Sequence, residues 1–199
     1  MSKPANPDLA RKILDITLEE LSAKAPDKIN MRDIAERASV SPTAIYYYFA
    51  SKEALFERIK FDAMDELDSR LSASTLSEAG PRERLAAFMR AYAAWCLERP
   101  HVAKLLLEDL PPKEPLSDEA MRKYYASFFR ARDLVEEAIA AGSLGGRDAL
   151  LDVSIAQAAI WGIVSQFRSK RVHPRFWNSI EPLIDRFIRI YLGDEGDRQ

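Results

Sequence analysis

Apolar residues recur along this chain at intervals of three and four rather than two, and β-branched runs bounded by turn residues are missing, so nearly every segment reads as helix. Ala10, Ile13, Leu14, Thr17, Leu18 and Leu21 form one stripe of a first helix that opens near Pro7. Ala25-Pro26-Asp27 breaks it. Asn30 then stands three residues before Asp33, the spacing of a capping box, ahead of a short helix over Met31 to Ala38 with Met31, Ile34, Ala35 and Ala38 facing inward. Ser39-Val40 leaves only a tight turn before Ser41, a good N-cap, and Pro42, which suits a first helical position. A second short helix over Pro42 to about Tyr48 follows, and Ser51 caps a longer one reaching about Leu71.

Beyond the small, polar stretch Ser72 to Gly80 the pattern predicts helices over Pro81–Arg99, Val102–Leu110, Ser117–Ala141, Arg147–Lys170 and Arg175–Leu192, with no internal repeat. The expected fold class is all-α, with about nine helices. An N-terminal three-helix unit over residues 1–60 precedes a larger helical unit over 61–199.

Composition removes several classes of function. The 199 residues are 47% apolar and 30% charged, the balance of an ordinary globular chain. No run approaches about 18 uninterrupted apolar residues and the first ten residues lack a signal-peptide core, so a cytoplasmic protein without membrane contact is expected. Cys96, His101 and His173 cannot assemble a zinc site, and no nucleophile–base set or glycine-rich phosphate loop is present. No metal, cofactor or enzymatic activity is therefore expected. Cys96 reads as a small buried residue, His101 as a helix-start residue and His173-Pro174 as a loop. The formal charge of −2 gives no global attraction to nucleic acid, although residues 1–60 carry ten Lys/Arg against nine Asp/Glu.

Two short helices across a tight turn form a helix-turn-helix, whose second member can enter a DNA major groove. The residues that fill this one are Asp33-Ile34-Ala35, Ala38, Val40-Ser41, Ile45-Tyr46, Tyr48-Phe49 and Ser51-Lys52-Glu53 followed by Leu55. Over residues 8 to 60 the chain resembles the TetR-type family of bacterial transcriptional regulators, and beyond that only in helical layout and length. Ser39 departs from the family's usual turn glycine, and Thr43 stands where glycine is frequent.

The resemblance implies a DNA surface drawn from Arg32, Ser41, Thr43, Ala44, Tyr46, Tyr47, Tyr48 and Lys52. It places Tyr46 and Tyr48 toward the backbone and groove and Phe49 in the core. Successive helical residues point about 100° apart, so at least one of the three tyrosines must be exposed; two of them packing on the first helix is the structural alternative. A lysine in the first turn of a helix opposes the helix dipole, so a phosphate explains Lys52 better than stability does, the alternative being a solvated lysine. No Arg, Asn or Gln lies within Pro42 to Tyr48, which predicts modest specificity per half-site, aided by water or DNA shape.

In the second unit Phe88, Tyr92, Trp95, Tyr124, Tyr125 and Phe128 fall at helical spacing, either as core or as the lining of an effector pocket. Ala156 to Val164 mixes small with bulky residues and carries no charge. Family members pair through their last two long helices, which marks Ala156, Ala159, Trp161, Ile163, Phe176, Ile180, Leu183 and Phe187 as a dimer face or, alternatively, an internal core. The implied function is a homodimeric repressor of a palindromic operator on double-stranded DNA, released by a small apolar or amphipathic effector. The rival reading is a helical protein-binding scaffold. Salt separates the two, because phosphate contacts weaken steeply with ionic strength and apolar protein contacts do not.

Overall fold

The computed structural model describes residues 6–76, 80–108, 117–145 and 148–193, and among them it contains ten α-helices, two short 3-10 turns and no strand. The chain divides into two compact units. One takes in the residues up to Ala63 together with the segment from Arg99, and the other holds Met64–Glu98 and the residues from Leu116 onward.

The first unit is built from α1 (Pro7–Ala23), α2 (Met31–Ala38), α3 (Pro42–Tyr48), the start of α4 (Lys52–Ser74) and α6 (Pro100–Leu107). Asn6 caps α1 by accepting from the Asp8 N–H at 3.0 Å. The helix buries Ile13, Leu14, Ile16, Thr17 and Leu21, with the Thr17 hydroxyl donating to the Ile13 carbonyl at 2.7 Å. Asn30 caps α2 through the Arg32 N–H at 2.9 Å, one residue earlier than a capping box requires. Helix α1 packs on both α2 and α6. The sequence boundary at residue 60 therefore needs correction: α6 joins the first unit because it lies against α1, and the unit extends to Ala63.

The second unit is organised around α5 (Pro81–Glu98), which packs against α8 (Ala126–Ala140), α9 (Ala149–Arg168) and α10 (Glu181–Leu192). Leu85, Phe88, Met89, Tyr92, Ala93, Trp95 and Cys96 of α5 are all buried. The single helix expected over 117–141 is divided at Tyr125, whose backbone (φ −105°, ψ 14°) separates α7 (Asp118–Tyr124) from α8. The break falls among four bulky rings, Tyr124, Tyr125, Phe128 and Phe129, with neighbouring centroids 5.1 to 6.4 Å apart. It accounts for ten helices where about nine were expected. The last helix begins at Glu181 and not at Arg175, because Pro182 is tolerated only in a first turn; Pro174–Phe176 forms a 3-10 turn instead.

Arg82, in the first turn of α5, closes this unit by donating to the carbonyls of Leu192, at 2.7 Å, and Gly193, where α10 ends. It also reaches the Ser143 carbonyl beyond α8 at 3.5 Å. These are charge-assisted bonds to acceptors that have no intrahelical partner. Replacing Arg82 with Ala is expected to lower unfolding free energy by about 2 kcal/mol. Urea denaturation checks this, and a loss below about 0.5 kcal/mol, the size of an ordinary surface change, would show the clamp to be idle.

Candidate nucleic-acid interface and ligand cavity

The corner between α2 and α3 is fixed by backbone geometry. Ser39 adopts the left-handed conformation (φ 61°, ψ 41°), and the Val40 N–H donates to the Ala35 carbonyl at 2.9 Å. Lys12 of α1 donates to the Ala38 carbonyl at 2.9 Å, placing a cation at the negative end of α2. A serine thus supplies the turn for which the family uses glycine, at the steric cost a Cβ carries in this conformation.

Across the turn, the Ser41 hydroxyl accepts from the Ala44 N–H at 3.1 Å, and Ser51 caps α4 in the same way through the Ala54 N–H. Ile45 is wholly buried and anchors α3, while Thr43, Tyr46 (49% exposed) and Tyr47 (54% exposed) face away from the core. Ala44 is half-buried. Tyr48 is half-buried as well, its hydroxyl accepting from the Asn6 N–H at 3.2 Å, so it ties α3 to the start of α1 and keeps its own proton to donate. Phe49 is also half-buried, and the buried side chains of this stretch are Ile45, Leu55 and Phe56.

Charge pairing separates the cations of this unit. Arg11, Lys24, Lys28, Arg37, Arg58 and Lys60 each have a carboxylate partner. Arg37 and Lys24 share Glu20, and their hydrogen bonds, that of Lys24 first, hold its carboxyl below the usual range. Arg32 is exposed and Lys52 lies 5.3 Å over the Phe56 ring; neither has a carboxylate partner among the described residues. Lys12, on α1, also has no carboxylate partner among the described residues but is held by the Ala38 carbonyl, which leaves Arg32 and Lys52 of the helix-turn-helix region as cations bonded to neither.

The second unit holds a cavity with about 480 Å³ of space free of atoms, part of it open to solvent. Its walls come from α5 (Leu85, Phe88, Met89), α8 (Phe128, Ala131, Val135) and α9 (Val153, Ala156, Ile160), with Leu71 of α4 and Tyr191 of α10. Tyr92, Ser127 and Gln157 are the other polar side chains in the lining. Of the six aromatics marked from the sequence, Phe88, Tyr92 and Phe128 line the cavity. Trp95, Tyr124 and Tyr125 do not: Trp95 is fully buried about one turn beyond Tyr92 along α5, and the two tyrosines meet edge-on at the α7–α8 break. Ser127 and Gln157 went unmarked, although Gln157 is the lone polar residue between Ala156 and Val164. Cys96 is fully buried, which pushes its thiol up to about 12, and it behaves as an inert core residue.

Two of the eight residues marked for pairing are spent inside the chain. Ala156 lines the cavity and Ile180 is 7% exposed, because the inner face of α9 and the start of α10 complete the core. Ala159, Trp161, Ile163, Phe176, Leu183 and Phe187 are half-buried. Helix α9 is long and apolar enough to cross a membrane by length and composition alone, with a mean hydropathy of 1.4. It has two apolar faces: Val153, Ala156, Ile160 and Val164 turn inward, and Leu151, Ile155, Ala158 and Gly162 form the opposite stripe. Among the described residues no His, Cys, Asp or Glu side chains gather as a metal site.

Residues 13–59, which span this helix-turn-helix, match the family model for "Bacterial regulatory proteins, tetR family". These residues carry a TetR-type DNA-binding domain. The chain is similar to the HTH-type transcriptional repressor KstR of Mycobacterium tuberculosis, 24% identical over 98% of this chain and 86% of KstR. A Rhodococcus sp. RHA1 protein of unknown function shares the fold with a TM-score of 0.81 at 21% identity, covering 96% of this chain and 97% of its own. The regulator FadR of Bacillus subtilis, solved in complex with stearoyl-CoA, does so with a TM-score of 0.70 at 18% identity, covering 92% and 97%.

The left-handed Ser39 gives a test of this TetR-type corner. Ser39→Gly is expected to stabilise the protein by about 0.5–1 kcal/mol in thermal or denaturant unfolding, by removing the Cβ penalty. Ser39→Val, β-branched at the same φ, is expected to destabilise it by more than that.

Proposed function

We propose that this regulator is a homodimeric repressor that binds a palindromic operator and releases it when an apolar or amphipathic effector enters the α5–α8–α9 cavity. The observation that carries the reading is the division of α3, with Ile45 locked inward and Thr43, Tyr46 and Tyr47 turned outward, beside cations lacking carboxylate partners. The methyl and hydroxyl groups of α3 reach bases, while Arg32, Ser41, Tyr48 and Lys52 hold phosphates. KstR is named a repressor and the FadR structure holds an acyl thioester, which supports repression and an apolar effector. Such a protein works in the cytoplasm, where the DNA is, and needs no catalytic group.

Selection of genomic fragments by the purified protein tests the DNA reading. The expected product is an approximate palindrome with half-sites about 34 Å apart. Lys52→Ala is expected to weaken binding at every site and to reduce the salt slope by about 1, as loss of one phosphate contact does. Tyr46→Ala is expected to lose about 1–3 kcal/mol at the preferred site alone. No enrichment at low salt would overturn the reading in favour of a protein-binding helix-turn-helix.

The pairing surface follows from the unfilled sides of the last two long helices. Gly162 has nothing within 4 Å of an added Cβ and no left-handed backbone, so nothing inside the chain requires a glycine there. With Leu151 and Ile155, more than half exposed, it forms a stripe that a second copy covers, and Leu183, Phe187 and Ile190 of α10 continue the apolar surface. Gly162→Glu is expected to leave the fold intact and weaken self-association on the order of 100-fold, because it places a charge against an apolar surface. Sedimentation velocity reads the outcome, and an unchanged dimer would move the interface elsewhere.

A further inference from the structure

The polar equipment of the cavity is sparse and uncharged. Among the described residues its lining contains no Lys, Arg, His, Asp or Glu, so a carboxylate or phosphate buried against them would lack a counter-charge. One lining group, by contrast, lacks a partner of its own. Tyr92 is 7% exposed, and its hydroxyl lies beside Gln157 and Cys96 without a hydrogen bond of proper geometry to either. A buried hydroxyl in that condition carries an unrecovered desolvation cost, which a ligand atom can remove.

We propose that the cavity selects an uncharged molecular part, an apolar skeleton bearing one hydrogen-bonding oxygen, and that Tyr92 and Gln157 determine this specificity by bonding to that oxygen. The inference rests on the reading of the cavity as the effector site. Burial raises the Tyr92 pKa well above the ordinary phenol value, so the group stays protonated and donates. The Gln157 side chain, half-buried on α9 in the same lining, offers both an amide donor and a carbonyl acceptor, so a ketone or a hydroxyl is served. A carboxylate would gain the same bonds but surrender its hydration without a cation in return. A free neutral lipid and the acyl part of a thioester present the same chemistry to these residues.

Calorimetric titration of the full chain with 2-undecanone, dodecan-1-ol, dodecanoate and dodecanoyl-CoA at pH 7.5 tests this. The ketone and alcohol are expected to bind, and dodecanoate at least about tenfold more weakly. Dodecanoyl-CoA binding more tightly than the ketone assigns the thioester as source; weaker binding assigns the free neutral lipid. Tyr92→Phe is expected to weaken ketone binding about five- to tenfold without lowering the melting temperature of the ligand-free protein, since it deletes an unpaired buried hydroxyl. A purely structural tyrosine would give the opposite pair of results. Gln157→Leu supplies a second variant with the same expected loss.

Dodecanoate binding as tightly as the alcohol, unchanged ketone affinity in both variants, or binding of none of the four probes would overturn the proposal. Operator binding is scored separately. Probe binding without operator binding sinks the repressor reading alone, and operator binding without probe binding sinks this inference alone.

Discussion

Helix α5 carries Leu85, Phe88, Met89, Tyr92, Ala93, Trp95 and Cys96 over an arc of about 160° of its circumference, counted at 100° per residue. One neighbouring helix cannot cover an arc that wide. Three do so, α8, α9 and α10, and the organisation of the second unit follows from that requirement. Covering one wide face with three separate cylinders leaves a space between them, and here that space is not filled by side chains. The cavity is therefore the gap between helices that close-packed interiors ordinarily fill. Arg82 matters in the same frame, because it fixes the end of α10 against the start of α5 through carbonyls that side-chain packing cannot engage.

The helix-turn-helix was legible to the residue because its information is local. Ser41 and Ser51 cap, Pro42 starts and a two-residue turn separates, so α2 and α3 emerge with the bounds that the sequence predicts. Where the outcome depended on distant partners, the reading failed in identifiable ways. Trp95 and Tyr92 are both apolar-face residues of α5, and nothing in their spacing says which of them faces a helix and which a gap. Ala156 and Ile180 looked suited to pairing because they are apolar, yet the inner face of α9 and the start of α10 took them for the core. Pro182 was a local signal that should have stopped the last helix from being drawn back to Arg175.

The family resemblance and the physical reading also correct one another at single residues. Resemblance put Phe49 in the core, but the short α3 has room for one deep anchor, and Ile45 holds that place. It assigned Tyr48 to DNA; the hydroxyl has a first partner in the Asn6 N–H, which leaves the tyrosine both structural and able to donate outward. Missing glycine at residue 39 raised the question of whether the turn could form. It forms with serine because the Ala35 and Ala38 carbonyls receive the Val40 N–H and the Lys12 ammonium, contacts that offset a modest backbone cost.

Two elements lead from the cavity-lining helices into the helix-turn-helix unit: α4, and α5 through the following α6, which packs on α1. Helix α4 is continuous, with its first residue, Lys52, in the helix-turn-helix unit and its Leu71 in the cavity lining. Occupancy of the cavity has consequences for DNA only if the ligand binds one arrangement of α4 or of α5 and α6 more tightly than another, since a ligand indifferent to the two shifts nothing. Moving the protein from mostly bound to mostly free demands about 5.5 kcal/mol of such preference. A single hydrogen bond to Tyr92 falls short of that by several-fold. In the proposed repressor the apolar body of a ligand, against Leu71 of α4 and Leu85, Phe88 and Met89 of α5, would supply most of the discrimination, while the polar pair on α5 and α9 would select which molecules deliver it.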